Sequence, residues 1–168
     1  MGRVNFKGNP VSTAGSLPAV GSPAPDFKLT KTDLADVSLK DFQGKKVILN
    51  IFPSVDTGVC ATSVRKFNQE AAGVPNAAVV CVSKDLPFAH KRFCAAENIT
   101  GVTATSDLRD ASFGKAYGVT MTEGPLAGLF SRAVVVIDEK GKVVYTEQVP
   151  EIGQEPDYAK ALQAARAS

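Results

Sequence analysis

Two short runs without a charged residue constrain the fold of this chain more than any other feature. Val47-Ile48-Leu49-Asn50-Ile51-Phe52 and Ala77-Ala78-Val79-Val80-Cys81-Val82-Ser83 both read as buried strands, the first stopped by Pro53. Helical spacing fills the gap between them. Cys60, Val64, Phe67 and Ala71 recur at i, i+4, i+7 and i+11, which puts them on one face, and Gly73 and Pro75 end that helix. A second helix is expected over 87–98, with Pro87 near its first turn and Ala89, Phe93 and Ala96 on its apolar face. Strands alternating with helices require an α/β arrangement.

The remaining segments extend that frame. Residues 1–25 are rich in Gly, Pro and Ser, and Val4–Phe6 and Val11–Thr13 flank a Lys7-Gly8-Asn9-Pro10 turn, so an N-terminal β-hairpin laid against the main domain is expected. Short strands are expected at 27–30, 37–39 and 102–105, a short helix at 110–117 and a long loop over 119–130. A hairpin of 132–138 with 142–148 and a helix over 157–166 close the chain. The expectation is one domain over 1–168, built on a mixed central sheet flanked by helices, because 168 residues at ~150 per domain give about one.

Composition narrows the function. Apolar residues make up 44% and charged residues 21%, which excludes disordered, collagen-like and coiled-coil classes. With 19 Lys and Arg against 17 Asp and Glu, and no basic run longer than a pair, nucleic-acid binding has little support. No 18-residue apolar stretch suggests a membrane span, and Met1–Phe6 carries no signal-peptide core, so a cytoplasmic protein is expected. Three cysteines, Cys60, Cys81 and Cys94, are an odd count that argues against a disulfide scaffold. Buried thiols, a metal site or redox chemistry remain open.

Phosphate-binding glycine loops, the G-x-S-x-G elbow and C-x-x-C are all absent, and His90 is the single histidine. The remaining candidate is Pro53-Ser54-Val55-Asp56-Thr57-Gly58-Val59-Cys60, which runs from strand end to helix start. If Thr57 is the N-cap, Cys60 falls at N3, next to the capping hydroxyl. Unpaired first-turn amides and the helix dipole there favour a thiolate over a thiol. Pro53, lacking an N–H, can wall the pocket. The bland alternative is a small core cysteine on the stripe with Val64 and Phe67.

Around this segment the sequence resembles the thiol peroxidase subfamily of the peroxiredoxins. The shared Pro-x-x-x-Thr-x-x-Cys signature is Pro53, Thr57 and Cys60. Phe6–Pro10, Asn50–Ala61, Asp85–Ala89, Arg92–Cys94 and Arg132–Asp138 also match. The resemblance implies a thioredoxin-like fold, a homodimer, hydroperoxide substrates and thioredoxin as reductant. It implies Cys60 as the peroxidatic cysteine, Cys94 as the resolving cysteine, a Cys60–Cys94 disulfide, Arg132 as the active-site arginine and no cofactor. It further implies a leaning towards alkyl and lipid-derived hydroperoxides, with which the apolar loop residues Met121, Leu126, Leu129 and Phe130 are compatible.

Read on their own, the residues leave more open. Cys94 lies on a polar flank with His90 and Glu97, Cys81 reads as an inert buried thiol, and His90 as a solvated helix residue. Arg65 and Lys66 rival Arg132 as the cation near Cys60. A non-catalytic thioredoxin-like module, a zinc module of Cys60, Cys81, His90 and Cys94, and a Cys60–His90 hydrolase are the competing functions.

Overall fold

Strand β5 (Lys46–Ile51) is buried along its whole length and pairs in parallel with β6 (Ala77–Ser83), joined by α1 (Gly58–Glu70). The computed structural model, which describes residues 2–168, extends this unit through α2 (Pro87–Ala96) to a further parallel strand, β7 (Val102–Ser106). Two hairpins complete the sheet from opposite sides. β8 (Ala133–Ile137) and β9 (Val143–Gln148) lie antiparallel beside β5, and β3 (Lys28–Lys31) and β4 (Asp36–Ser38) beside β7. The seven strands run in the order β4-β3-β7-β6-β5-β8-β9. This is the expected mixed sheet, and the fold is thioredoxin-like.

Strand alternation gives the sheet two buried faces. Ile48, Val79, Val134 and Val136 pack against Cys60, Val64 and Phe67 of α1 and Ala161, Leu162 and Ala165 of α4 (Tyr158–Ala167). Leu49, Ile51, Val80 and Val135 face the other way, against Phe27, Phe113, Tyr117 and Phe130. Phe113 and Tyr117 stack there at 4.6 Å between ring centroids, Phe113 belonging to the single short turn α3 (Ser112–Ala116).

The N-terminal hairpin, β1 (Arg3–Phe6) with β2 (Asn9–Ser12), forms its own small sheet. Its turn uses positive φ at Lys7 (51°) and Gly8 (82°). It encloses a third cluster of Val4, Val11, Met121 and Ile152. The Asn5 N–H donates to the Pro150 carbonyl at 2.7 Å, and the Ile152 N–H to the Asn5 carbonyl at 2.9 Å. Glu151 accepts from the backbone N–H groups of Lys7 (3.0 Å) and Gly8 (3.2 Å), clamping the turn.

Local expectations on α2 and on the apolar residues of 119–130 need correction. His90 is not solvated: it is buried, and α2 turns Pro87 and His90 inward while Ala96 faces solvent. The alanines add little apolar area, whereas the His90 ring finds a polar partner inside, described below. The segment over 119–130 is the expected loop, tied down where Thr120 bridges Phe130 and Met121 bridges Thr13. Met121 and Phe130 are fully buried, so of the four apolar loop residues only Leu126 and Leu129 border open space.

Candidate functional site

Pro53 ends β5, and the next four residues turn the chain into α1 through bonds centred on Ser54. The Ser54 carbonyl accepts from the Thr57 N–H (3.2 Å) and the Thr57 hydroxyl (3.1 Å). Thr57, with extended φ/ψ of −95°/145°, is the N-cap of α1, and its Oγ1 accepts from the Cys60 N–H at 3.4 Å. Cys60 is therefore at N3, as its spacing predicts, with its side chain 0% exposed.

Arg132 meets that sulfur from the far side. It sits just ahead of β8 and is 2% exposed. Its Nη2 donates to Cys60 Sγ at 3.2 Å, and its Nε donates to the Ile152 carbonyl at 2.9 Å. Nη1 is buried and has no partner. Arg132, Thr57 and Pro53 line a cleft of about 260 Å³ whose other walls include Phe6, Leu126 and Leu129. A fixed cation with an unused N–H donor thus borders an apolar opening, and the sulfur it holds is buried behind that wall.

The rival cations are engaged elsewhere. Arg65 pairs with Glu97 beyond the end of α2, and Lys66 lies over the Tyr158 ring at 5.6 Å. Among the described residues no three His, Cys, Asp or Glu side chains come together as a metal-ligand set. His90 Nε2 lies 2.9 Å from Ser83 Oγ, so its hydrogen-bond partner is a serine and not Cys60.

The other two thiols differ from each other. Cys81 lies in β6, fully buried, 3.8 Å from Asn50 Nδ2, and burial pushes its pKa up to about 12. It is held as a neutral thiol. Cys94 lies on α2, half-buried, and packs against the same cluster that contains Cys60. Burial raises its pKa as well.

One group near the site was missed in the sequence. Asp85 follows β6 and takes three donors: Ser54 Oγ at 2.7 Å, the Val55 N–H at 2.9 Å and Ser83 Oγ at 2.6 Å. The available signal was positional, because Asp85 lies just past the carboxyl end of a parallel strand beside the end of β5, where open α/β sheets gather their sites.

The profile of the family described as Redoxin matches residues 19–162. A thiol peroxidase of Mycobacterium tuberculosis (strain ATCC 25618 / H37Rv) is 59% identical over 164 residues, covering 98% of each chain. A thiol peroxidase of Corynebacterium glutamicum is 56% identical over 164 residues, covering 98% of this chain and 99% of that protein. Among solved structures, a peroxiredoxin-like protein from Aquifex aeolicus superposes with a TM-score of 0.93 at 42% identity, covering 98% of this chain and 96% of that one.

Proposed function

Because the chain belongs to the thiol peroxidases of the Redoxin family, we propose that it is a thiol-dependent peroxidase whose attacking group is Cys60. The observation that carries the assignment is the Arg132 Nη2 bond to Cys60 Sγ at 3.2 Å. A guanidinium beside a buried sulfur offsets the cost of negative charge there, and the N-terminal position in α1 adds the helix dipole in the same sense.

On this reading the Cys60 thiolate attacks the distal oxygen of a hydroperoxide. The S–O bond forms, the O–O bond breaks, and the leaving oxygen takes a proton to depart as alcohol or water, giving a sulfenic acid on Cys60. Negative charge develops on that leaving oxygen. Arg132 Nη1 is the donor assigned to meet it in the apolar cleft, and the Thr57 hydroxyl, which donates to the Ser54 carbonyl here, has to turn from that carbonyl to add a second. Pro53 lines the same cleft and offers no competing N–H.

The Cys94 thiol then displaces the sulfenic oxygen as water, forming a Cys60–Cys94 disulfide that a dithiol reductant opens by exchange. Thioredoxin is the reductant we assign. The partial exposure of Cys94 supports this step, since a resolving sulfur has to be reached. The apolar cleft walls support alkyl hydroperoxides as substrates. Phe6 lines that cleft, which supports treating the N-terminal hairpin as part of one domain over 1–168. Exposed Leu86 (55%), Phe88 (64%) and Leu108 (49%) support a homodimer. No helix among the described residues is long and apolar enough to cross a membrane, and we assign the protein to the cytoplasm.

The test is consumption of cumene hydroperoxide driven by thioredoxin, thioredoxin reductase and NADPH. Cys60→Ser should be inactive and Cys81→Ala should retain turnover. Cys94→Ala should consume one equivalent of peroxide and then stall. Full activity in Cys60→Ser, or steady turnover in Cys94→Ala, would overturn the corresponding assignment.

A further inference from the structure

Asp85 lies between the segment that carries Cys60 and the helix that carries Cys94. On one side its carboxylate holds Ser54 Oγ and the Val55 N–H. Ser54 in turn accepts from the Asp56 N–H through its hydroxyl (3.1 Å) and from Thr57 through its carbonyl, and Thr57 caps the Cys60 amide. Three short links therefore connect the carboxylate to the first turn of α1.

On the other side the bonding follows from proton counting. Ser83 Oγ has one hydrogen, and at 2.6 Å from an ionised, acceptor-only carboxylate that hydrogen points to Asp85. The same Ser83 Oγ lies 2.9 Å from His90 Nε2, so the serine stands between the carboxylate and the imidazole. His90 lies one helical turn before Cys94 on α2. Asp85 also donates its own N–H to Ser83 Oγ at 3.2 Å, closing the ring of bonds.

We infer that Asp85 is a positioning residue that pins the Pro53–Thr57 loop and the N-terminal half of α2 in one register. It thereby speeds attack by Cys60 and slows closure onto Cys94. The inference rests on the peroxidase reading above. Attack needs the first turn of α1 held still, with Thr57 and Arg132 fixed around the sulfur. Closure needs the opposite, because Cys60 is fully buried beneath that turn and has to leave it to meet a half-buried sulfur on another helix. One carboxylate, bonded directly to the loop and through Ser83 to His90 of α2, opposes both movements.

The consequence is a pair of rate changes with opposite signs. Asn at 85 keeps the shape but loses the charge and presents an NH₂ that only donates, so the serine hydroxyl facing it has to turn its hydrogen away and the charge-assisted bonds weaken. In Asp85→Asn, sulfenic acid formation should slow about tenfold. The condensation of that sulfenic acid with Cys94, which releases water, should run several times faster. Over-oxidation of Cys60 to the sulfinic acid per turnover should fall accordingly. Ser54→Ala, which deletes one donor and leaves the carboxylate charged, should move both rates in the same directions by less.

The chain contains no Trp, so the steps are best followed by rapid-quench mass spectrometry. Sulfenic acid is trapped with dimedone, and the disulfide is read as the loss of two alkylatable thiols. Wild type and both variants are compared with cumene hydroperoxide. A variant that merely loosens the fold would slow both steps. If either step fails to move in its stated direction in the variants that fold, Ser54→Ala being sufficient alone, the inference is overturned while wild-type oxidation leaves the peroxidase reading standing. A wild-type Cys60 that peroxide does not oxidise overturns both.

Discussion

Arg132 divides its donors three ways, and the division shows why lysine cannot replace it. Nε holds the Ile152 carbonyl, Nη2 holds Cys60 Sγ, and Nη1 is buried without a partner. A planar fork does this with one fixed orientation, whereas an ammonium is a single point on a flexible stem. Arg132→Met should lower kcat/KM by about 10²- to 10³-fold, the range seen when a donor to a developing oxyanion is removed. The loss should persist at a pH where the thiolate is fully formed. A loss that vanishes at high pH would restrict Arg132 to setting the charge state of the sulfur. His90 makes a separate prediction. Burial holds its pKa below the ordinary 6.5, against the opposing pull of Asp85. Above pH ~6.5 both folded and unfolded chains hold it neutral, and the stability is complete. As pH falls through that value the unfolded chain takes up the proton first, and stability is lost until the native ring is protonated too. The urea midpoint should therefore fall between pH 7.5 and pH 5.5, and His90→Gln should remove the His90 part of that fall. An unchanged wild-type-minus-variant difference across this range would refute it.

Among the elements, β5, α1 and β6 were legible because each depends on contacts close in sequence. An uninterrupted apolar run, a proline and an i, i+4, i+7 stripe need no partner to be recognised, and the Thr57 cap follows from Cys60 standing three residues on. α2 was harder. Periodicity weighs apolar residues, so it turned Ala89 and Ala96 inward, whereas the helix buries His90 against a serine on β6. No pattern in one helix reveals a hydrogen-bond partner supplied by a strand. Asp85 escaped notice for the same reason. The helix ends also bear on exchange behaviour. Oxidation to the disulfide should quicken amide exchange over 55–64 and 88–97 while β6, whose inner residues are fully buried, stays protected. Unchanged exchange in both segments would mean that the sulfurs bond without either helix opening.

In the whole molecule, the strand alternation foretold a mixed sheet, but the placement of the outer hairpins and the meeting of residue 132 with residue 60 did not follow from any local signal. The latter came from family resemblance, because a contact 72 positions apart in the chain leaves no trace in periodicity. The N-terminal hairpin takes this furthest. Asn5 bonds to the 150–152 strip, and that strip supplies the carbonyl that orients Arg132. The first strand of the chain and a segment near its end are thus both needed to set the guanidinium. During synthesis, residue 5 waits for more than 140 further residues before its partner exists. Nascent chains that stop before residue 150 lack the strip that aims the arginine. The guanidinium can therefore be aimed only after residue 152 has been made, later than either of the sulfurs in the proposed reaction.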